Sequence, residues 1–480
     1  MNCKKRLTIL VTTVDVVGRI NACTGVTGGL LKRGHRVVFL TEESFQGRLS
    51  ALGFEEYVYR MEMDGGTAPA ATTTNKTLQS QSESKQQQKD CSKNAVAKPG
   101  EKVASGMFIN RIIGPYHPKE KFQNLLNLFV LSASAGRRIV KSNHYIKEAI
   151  EAVKPDLIWV DNTYLAPAIF YSGIPYLNNI STTPLYCVFD ETLTVPPGGS
   201  GYPANGDKSD WASFNEVRRE FFYSSTFNNY LEEMGYQRYP ADIRTPETNC
   251  LLTVYGWPKE LSFPLIEQKD KWFNLESFNK NESQEVVNLS DIAGEQFARE
   301  ETLDGTWSGR LIFLSMGTMA STDLTLMKRL IEVFSRTPHK YIVSKGPRHE
   351  EITLPRNMWG QRYVPQTRIL PLVHLVICHG GNNTVCEAFA QGKPMIVGPI
   401  FADQYDNAQR IEETGFGRRF DPYSFEDSQL TEAVEELLAD GELQQRLAVA
   451  SQRIRSTKKH EELYELIENL MLKAEGEKEK

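Results

Sequence analysis

Residues 375–407 read LVICHGGNNTVCEAFAQGKPMIVGPIFADQYDN and constrain the fold more than any other stretch. The apolar run 375–378 has the pattern of a strand buried on both faces. His379, Gly380 and Gly381 follow, then Asn382 and Asn383, which are good helix N-caps. A helix is expected over 384–390, stopped by Gly392 and Pro394, and 395–400 is a second apolar run. This is a strand–helix–strand unit with glycines at the strand-to-helix turn. The helix start leaves free backbone N–H groups and a positive dipole end, which suits a phosphate. His379 falls at the carboxyl end of its strand, where open α/β sheets bind ligands. Glu387 lies one helical turn beyond Asn383, where its carboxylate can take two sugar hydroxyls. Asp403 and Gln404 follow the second strand at the same sheet edge.

A chain of 480 residues is long enough for two ordinary domains. Its 24% charged residues and 40% hydrophobic residues are globular proportions. A net charge of -5 argues against a nucleic-acid surface. Seven cysteines without a Cys-x-x-Cys pair read as reduced thiols. No stretch approaches the roughly 20 apolar residues of a membrane span, so no membrane anchor is expected.

The rest of the chain repeats the α/β alternation. A strand at 7–14 leads through Gly18 and Arg19 into a helix over 20–33, then a strand at 36–41. Gly28 and Gly29 each cost that helix about 1 kcal/mol against alanine, and close packing on the sheet is the expected reason. Residues 63–105 are rich in Thr, Ser, Gln and Lys and are expected to be a disordered insertion. Residues 155–161 form a strand ending in Asp161, and a Pro/Gly-rich loop spans 195–203. Helical 211–235 carries Phe214, Phe221, Phe222 and Phe227, whose expected use is core. The expected organisation is a first domain at 1–255, an acidic, loop-like crossing at 256–309, a second domain at 310–455 and a last helix at 456–480.

The set His379, Asn383, Thr384 and Glu387, with Gly392-Lys393-Pro394, Asp403-Gln404 and Asn407-Ala408 at these spacings, resembles the donor-binding signature of the UDP-glycosyltransferases. The resemblance extends over nearly the whole chain. It implies the GT-B architecture, two Rossmann-like doubly wound α/β domains facing a cleft, with the last helix crossing back onto the first. It implies a UDP-sugar co-substrate, no further cofactor and a small lipophilic acceptor. By the same resemblance Thr318, His379, Gly381, Asn383 and Thr384 surround the diphosphate. Tyr363 packs on uracil, the Val364 backbone bonds the base edge, Gln366 reaches the ribose, and Asp403 and Gln404 hold the sugar. Microsomal members carry a signal and a C-terminal anchor; neither pattern occurs here, so a cytoplasmic protein, and a monomer, is expected.

At one position the chain departs from that family. Where it has a catalytic histidine this sequence has Arg19, beside the matching acid Asp161. Arginine is permanently protonated and cannot act as a base. No Asp-x-Asp pair occurs, so no metal is expected to bridge the diphosphate, and leaving-group charge falls to dipoles and side chains. The implied reaction is inverting transfer of a hexose, by family habit glucose. The rival readings are a UDP-sugar binder with impaired turnover, resting on Arg19, and an epimerase or hydrolase on the same fold.

Overall fold

The computed structural model describes residues 6–60, 72–73, 106–223, 225–240, 249–279, 288–299 and 309–478. Apart from Thr72–Thr73, the insertion expected over 63–105 lies outside the described residues, as do the side chains of Phe221, Phe222 and Phe227. Phe214 is fully buried against Phe122 and Leu126, as a core residue should be.

Eight strands make the first sheet: β1 (Thr8–Thr13), β2 (Arg36–Glu42), β3 (Glu55–Tyr59), β4 (Thr72–Thr73), β5 (Leu157–Asp161), β6 (Tyr176–Ile180), β7 (Thr253–Tyr255) and β8 (Trp272–Asn274). Six make the second: β9 (Leu311–Ser315), β10 (Lys340–Ser344), β11 (Met358–Gln361), β12 (Leu375–Cys378), β13 (Met395–Val397) and β14 (Gly417–Arg419). The orders are β4-β3-β2-β1-β5-β6-β7-β8 and β11-β10-β9-β12-β13-β14. Only the β3–β4 pairing is antiparallel among the described residues. Central strands β5, β9 and β12 are buried at every position, which is why their sequences are continuous apolar runs rather than alternations. In both sheets the strand order reverses next to the first strand, at β1/β5 and β9/β12. The crevice at such a switch point, beyond the carboxyl ends of the strands, is where doubly wound sheets place ligands.

The first sheet continues past Tyr255, where it was expected to stop. β8 pairs with β7 from within the supposed crossing. The crossing is also packed rather than loop-like over its described part: Trp257 and Leu261 are buried in the core that surrounds the second sheet. Its Glu276 carboxylate accepts from Lys459 Nζ at 2.7 Å and is ion-paired with Arg453. Arg453 also forks onto Glu260 at 2.8 and 2.9 Å, so one guanidinium ties the crossing to the end of the second domain.

Helix α1 (Val17–Lys32) follows β1, and α4 (Lys459–Lys478) ends the described chain against it. Gly29 is needed for this contact rather than for the sheet: a Cβ there would stand 2.1 Å from the Tyr464 ring. The Tyr464 hydroxyl donates to Val26 O at 3.1 Å, and Arg33 grips Glu468 through Nε and Nη2 at 2.8 and 2.9 Å. His35 joins the same carboxylate at 3.2 Å, far from the Arg19 turn at the other end of α1. Among the described residues no helix is long and apolar enough to cross a membrane.

Candidate functional site

The second-domain half of the site is built on the β12 turn. His379 follows β12, and helix α2 (Asn382–Ala390) starts two residues on. Gly380 has φ +83, which L side chains rarely adopt, and a Cβ there would meet Val397 at 2.7 Å. The imidazole of His379 lies between two further glycines. A Cβ on Gly381 or on Gly317 would come within 2.6 Å of the ring. Gly317 opens the short helix that carries Thr318, after β9, which pairs with β12 at Cys378↔Ser315. Adjacent strands thus bring Thr318 and His379 to one edge. Burial pushes the His379 imidazole down to about 4, so the ring is neutral near pH 7.

The N-cap of α2 is Gly381, not an asparagine, and no side chain caps the helix. Both asparagines are drawn across to the first domain instead. Asn383 Nδ2 donates to Gly18 O at 2.7 Å, and Asn382 Nδ2 to Gly256 O at 3.3 Å. A helix start with no capping side chain keeps its first N–H groups for another partner. Asn383 Oδ1 is buried and has no hydrogen-bond partner among the described residues.

Thr384 and Glu387 stand on α2. Gln366 Nε2 donates to Glu387 Oε2 at 2.7 Å and contacts Thr384 Oγ1 at 3.3 Å. Asn279 Nδ2, from the crossing, donates to Glu387 Oε1 at 2.6 Å. Burial lifts the Glu387 carboxyl to about 7, with both amides pulling it back. Val364 is partly buried on the core, whereas Tyr363 is 50% exposed, with the Arg362 guanidinium 5.3 Å from its ring centre. Tyr363 is therefore the expected site residue that the fold holds least.

Asp403 is the N-cap of helix α3 (Gln404–Glu413), reached from β13. Its Oδ2 accepts from the Thr183 backbone N–H at 3.0 Å, across the domain boundary. Burial raises its carboxyl to about 6. Gln404 Oε1 accepts from Ile400 N and Phe401 N at 3.0 and 3.3 Å. Both side chains expected on the sugar thus already hold protein backbone. Asp406, one turn into α3, accepts from Gly199 N at 2.5 Å and Gly201 N at 3.1 Å and so fixes the Pro/Gly-rich loop.

The first-domain half centres on Asp161, last residue of β5 and register partner of Thr13 in β1. Arg19 Nη1 donates to Asp161 Oδ1 at 2.8 Å and to its backbone O at 3.2 Å. Ser181 Oγ donates to Oδ1 at 3.0 Å, Asn179 Nδ2 to Oδ2 at 2.9 Å, and Cys23 Sγ approaches Oδ2 at 3.6 Å. Burial lifts the Asp161 carboxyl above the usual range, and Arg19, Asn179, Ser181 and Cys23 oppose it. Sequence reasoning had found Arg19 and Asp161 but not Asn179, Ser181, Thr183 or Asn279. For Asn179 and Ser181 a signal existed, since they flank Ile180, the last residue of β6, the strand next to β5.

Residues 300–454 match the family model described as UDP-glucoronosyl and UDP-glucosyl transferase. The NDP-glycosyltransferase YjiC of Bacillus licheniformis is 30% identical over 160 residues, covering 32% of this chain and 40% of that protein. Human UDP-glucuronosyltransferase 2B7 is 21% identical over 350 residues, covering 67% of this chain and 63% of that protein. The matches span 40%, 32%, 21% and 40% of the length of the first four curated relatives. Among solved structures, the kitacinnamycin glycotransferase superposes with TM-score 0.64 at 17% identity, covering 97% of this chain and 100% of that one. The Streptomyces glycosyltransferase SsfS6, complexed with thymidine diphosphate, gives TM-score 0.58 at 16% identity, covering 97% and 100%. The fold is therefore α/β GT-B, and residues 300–454 are similar to the UDP-glycosyltransferase family domain.

Proposed function

We propose that this protein transfers a hexose, glucose first among candidates, from a UDP-sugar to a small lipophilic acceptor with inversion at the anomeric carbon. The observation that carries the reading is the 2.7 Å bond from Asn383 Nδ2 to Gly18 O. It sets the uncapped start of α2 beside the Arg19 turn, so a diphosphate at one and an acceptor at the other meet across the seam. Neutral His379 donates to the diphosphate, with Thr318, Asn383 and Thr384 around it. The acceptor nucleophile bonds to the anomeric carbon as the bond to UDP breaks, and UDP leaves with the electron pair. The α2 dipole and N–H groups receive that charge. Glu387, oriented by Gln366 and Asn279, takes the ribose diol. Asp403 and Gln404 line the sugar, and Tyr363 and Val364 the base. Without an Asp-x-Asp pair the chemistry is metal-independent, so excess EDTA should leave transfer unchanged.

A second reading is favoured by one observation, the Arg19–Asp161 ion pair at 2.8 Å, which fills the place of a base. On it the protein binds UDP-sugar with little turnover. Incubation with UDP-glucose and a panel of nucleophiles separates the cases. A glycoside supports transfer, free glucose with UDP supports hydrolysis, and unchanged donor with measurable UDP binding supports the binder.

A further inference from the structure

The pair Asp403 and Gln404 hangs on the short loop between β13 and α3, and that loop is held partly from the other domain. Within it, Gln404 Oε1 takes the N–H groups of Ile400 and Phe401. Ala402 sits at φ +55, the left-handed region that a residue with a side chain adopts only at a cost. Backbone of this kind persists where its surroundings over-determine it. One of the determinants is Lys121, on the first-domain helix Pro118–Leu126. Its Nζ donates to Ile400 O at 2.8 Å and to the Tyr405 hydroxyl at 2.9 Å. The Tyr405 hydroxyl in turn donates to Ile400 O at 3.1 Å. Two donors thus converge on one buried carbonyl, three residues before Asp403.

The setting of Lys121 is unusual for a residue that serves only the fold. It is 2% exposed, and its ammonium lies 5.5 and 5.2 Å from the ring centres of Tyr405 and Tyr423. Both of its hydrogen bonds go to neutral oxygens, and the Asp421 carboxylate acts on it only at longer range. Burial lowers the amine to about 8, so it is charged near pH 7. A buried cation without a bonded counter-ion is a costly way to stabilise packing, and apolar side chains of similar volume do it as well or better. What Lys121 adds is a charged donor on the loop that carries Asp403. Its neighbour Phe122 faces the Pro/Gly-rich loop, where a Cβ on Gly199 would stand 3.1 Å from the ring. The helix therefore spans from that first-domain loop to the Asp403 loop.

We infer that Lys121 is a positioning residue for the donor sugar, fixing the loop at Ile400 so that Asp403 and Gln404 meet the sugar hydroxyls. The first domain then sets how the second reads the sugar. This rests on the reading above that lines the sugar with Asp403 and Gln404.

The test is calorimetry of the full chain at pH 7 with UDP-glucose and, separately, with UDP. Lys121→Met, of similar length and apolar, should weaken UDP-glucose about tenfold, the low end of a lost hydrogen bond to a charged group. UDP, which lacks the sugar, should stay within about twofold. Tyr405→Phe leaves Lys121 on Ile400 O and should give a smaller loss, again confined to UDP-glucose. It carries the test if Lys121→Met does not fold. Asp403→Asn checks the underlying reading and should weaken UDP-glucose but not UDP. Equal weakening of UDP and UDP-glucose in the Lys121 and Tyr405 variants would make their role support of the whole domain and overturn the inference. Unchanged UDP-glucose affinity in those variants, with Asp403→Asn impaired, overturns the inference alone. Unchanged UDP-glucose affinity in Asp403→Asn removes the sugar reading and the inference with it.

Discussion

The two sheets present the same local device, a turn from the carboxyl end of a central strand into a helix, and fill it in opposite ways. After β1 the turn carries Arg19, locked onto a carboxylate that three further donors also face. After β12 it carries His379, neutral and slotted between two glycines, ahead of a helix start with no side-chain cap. The first turn is electrostatically closed. The second keeps backbone donors available. Equivalent topology therefore fixes where chemistry can happen but not which chemistry, and the difference lies in a few side chains at each turn.

The largest effect expected from breaking this contrast is on stability. Arg19→Ala leaves the buried Asp161 carboxylate with neutral donors only. Removing one partner of a buried pair costs roughly 3–5 kcal/mol, and the partial exposure of Arg19 puts the expectation at the low end, about 3. Ser181→Ala removes one neutral donor and should cost about 1 kcal/mol. Urea midpoints at pH 7 measure both. Equal losses would show that the first turn is not held by its charge pair.

The opposite turn should respond in binding. His379→Ala should weaken UDP by roughly 1.5–3 kcal/mol, the scale of a hydrogen bond to a charged group. Calorimetry with UDP is the measurement, and unchanged affinity would mean that the diphosphate lies elsewhere.

Making the first turn less closed is the next step down. Arg19→His puts an imidazole beside Asp161 and should raise transfer to an alcohol by about tenfold, the low side of general-base help. If wild type already matches the mutant on the alcohol, another base operates and the contrast between the turns loses its chemical meaning.

Much of this arrangement was legible beforehand, for reasons that also explain what was not. The β12–α2–β13 unit shows in sequence because a fully buried strand is an apolar run and its turn needs glycine. β8 was hidden: three half-buried residues in an acidic stretch carry no periodicity. The N-cap expectation failed because propensity is local, while Asn382 and Asn383 answer to carbonyls of the other domain. Asn279 carried no signal at all, since its partner Glu387 is 108 residues away. Gly29 looked like a sheet contact because nothing in α1 announces Tyr464.

The smallest expected effect sharpens the comparison from the donor side, through Glu387. Burial holds its carboxyl up to about 7, so near pH 6 most of the free protein carries it neutral. A ribose diol donates to a carboxylate, which favours the ionised form and lowers the pKa in the complex. Binding then releases a proton, and affinity rises with pH across the window between the bound and free values. A one-unit fall on binding would raise UDP affinity about fivefold between pH 6 and pH 8. UDP's own phosphate titrates in this range, so the informative quantity is the difference from Glu387→Gln. That variant keeps one acceptor oxygen but cannot ionise, and it should lose the Glu387 share of the slope. Its affinity at pH 6 should lie near wild type and fall behind at pH 8. Parallel profiles for the two proteins would show that Glu387 does not change protonation when UDP binds. Its carboxylate would then belong to the Gln366–Asn279 clamp alone, and the open character of the second turn would end at the diphosphate.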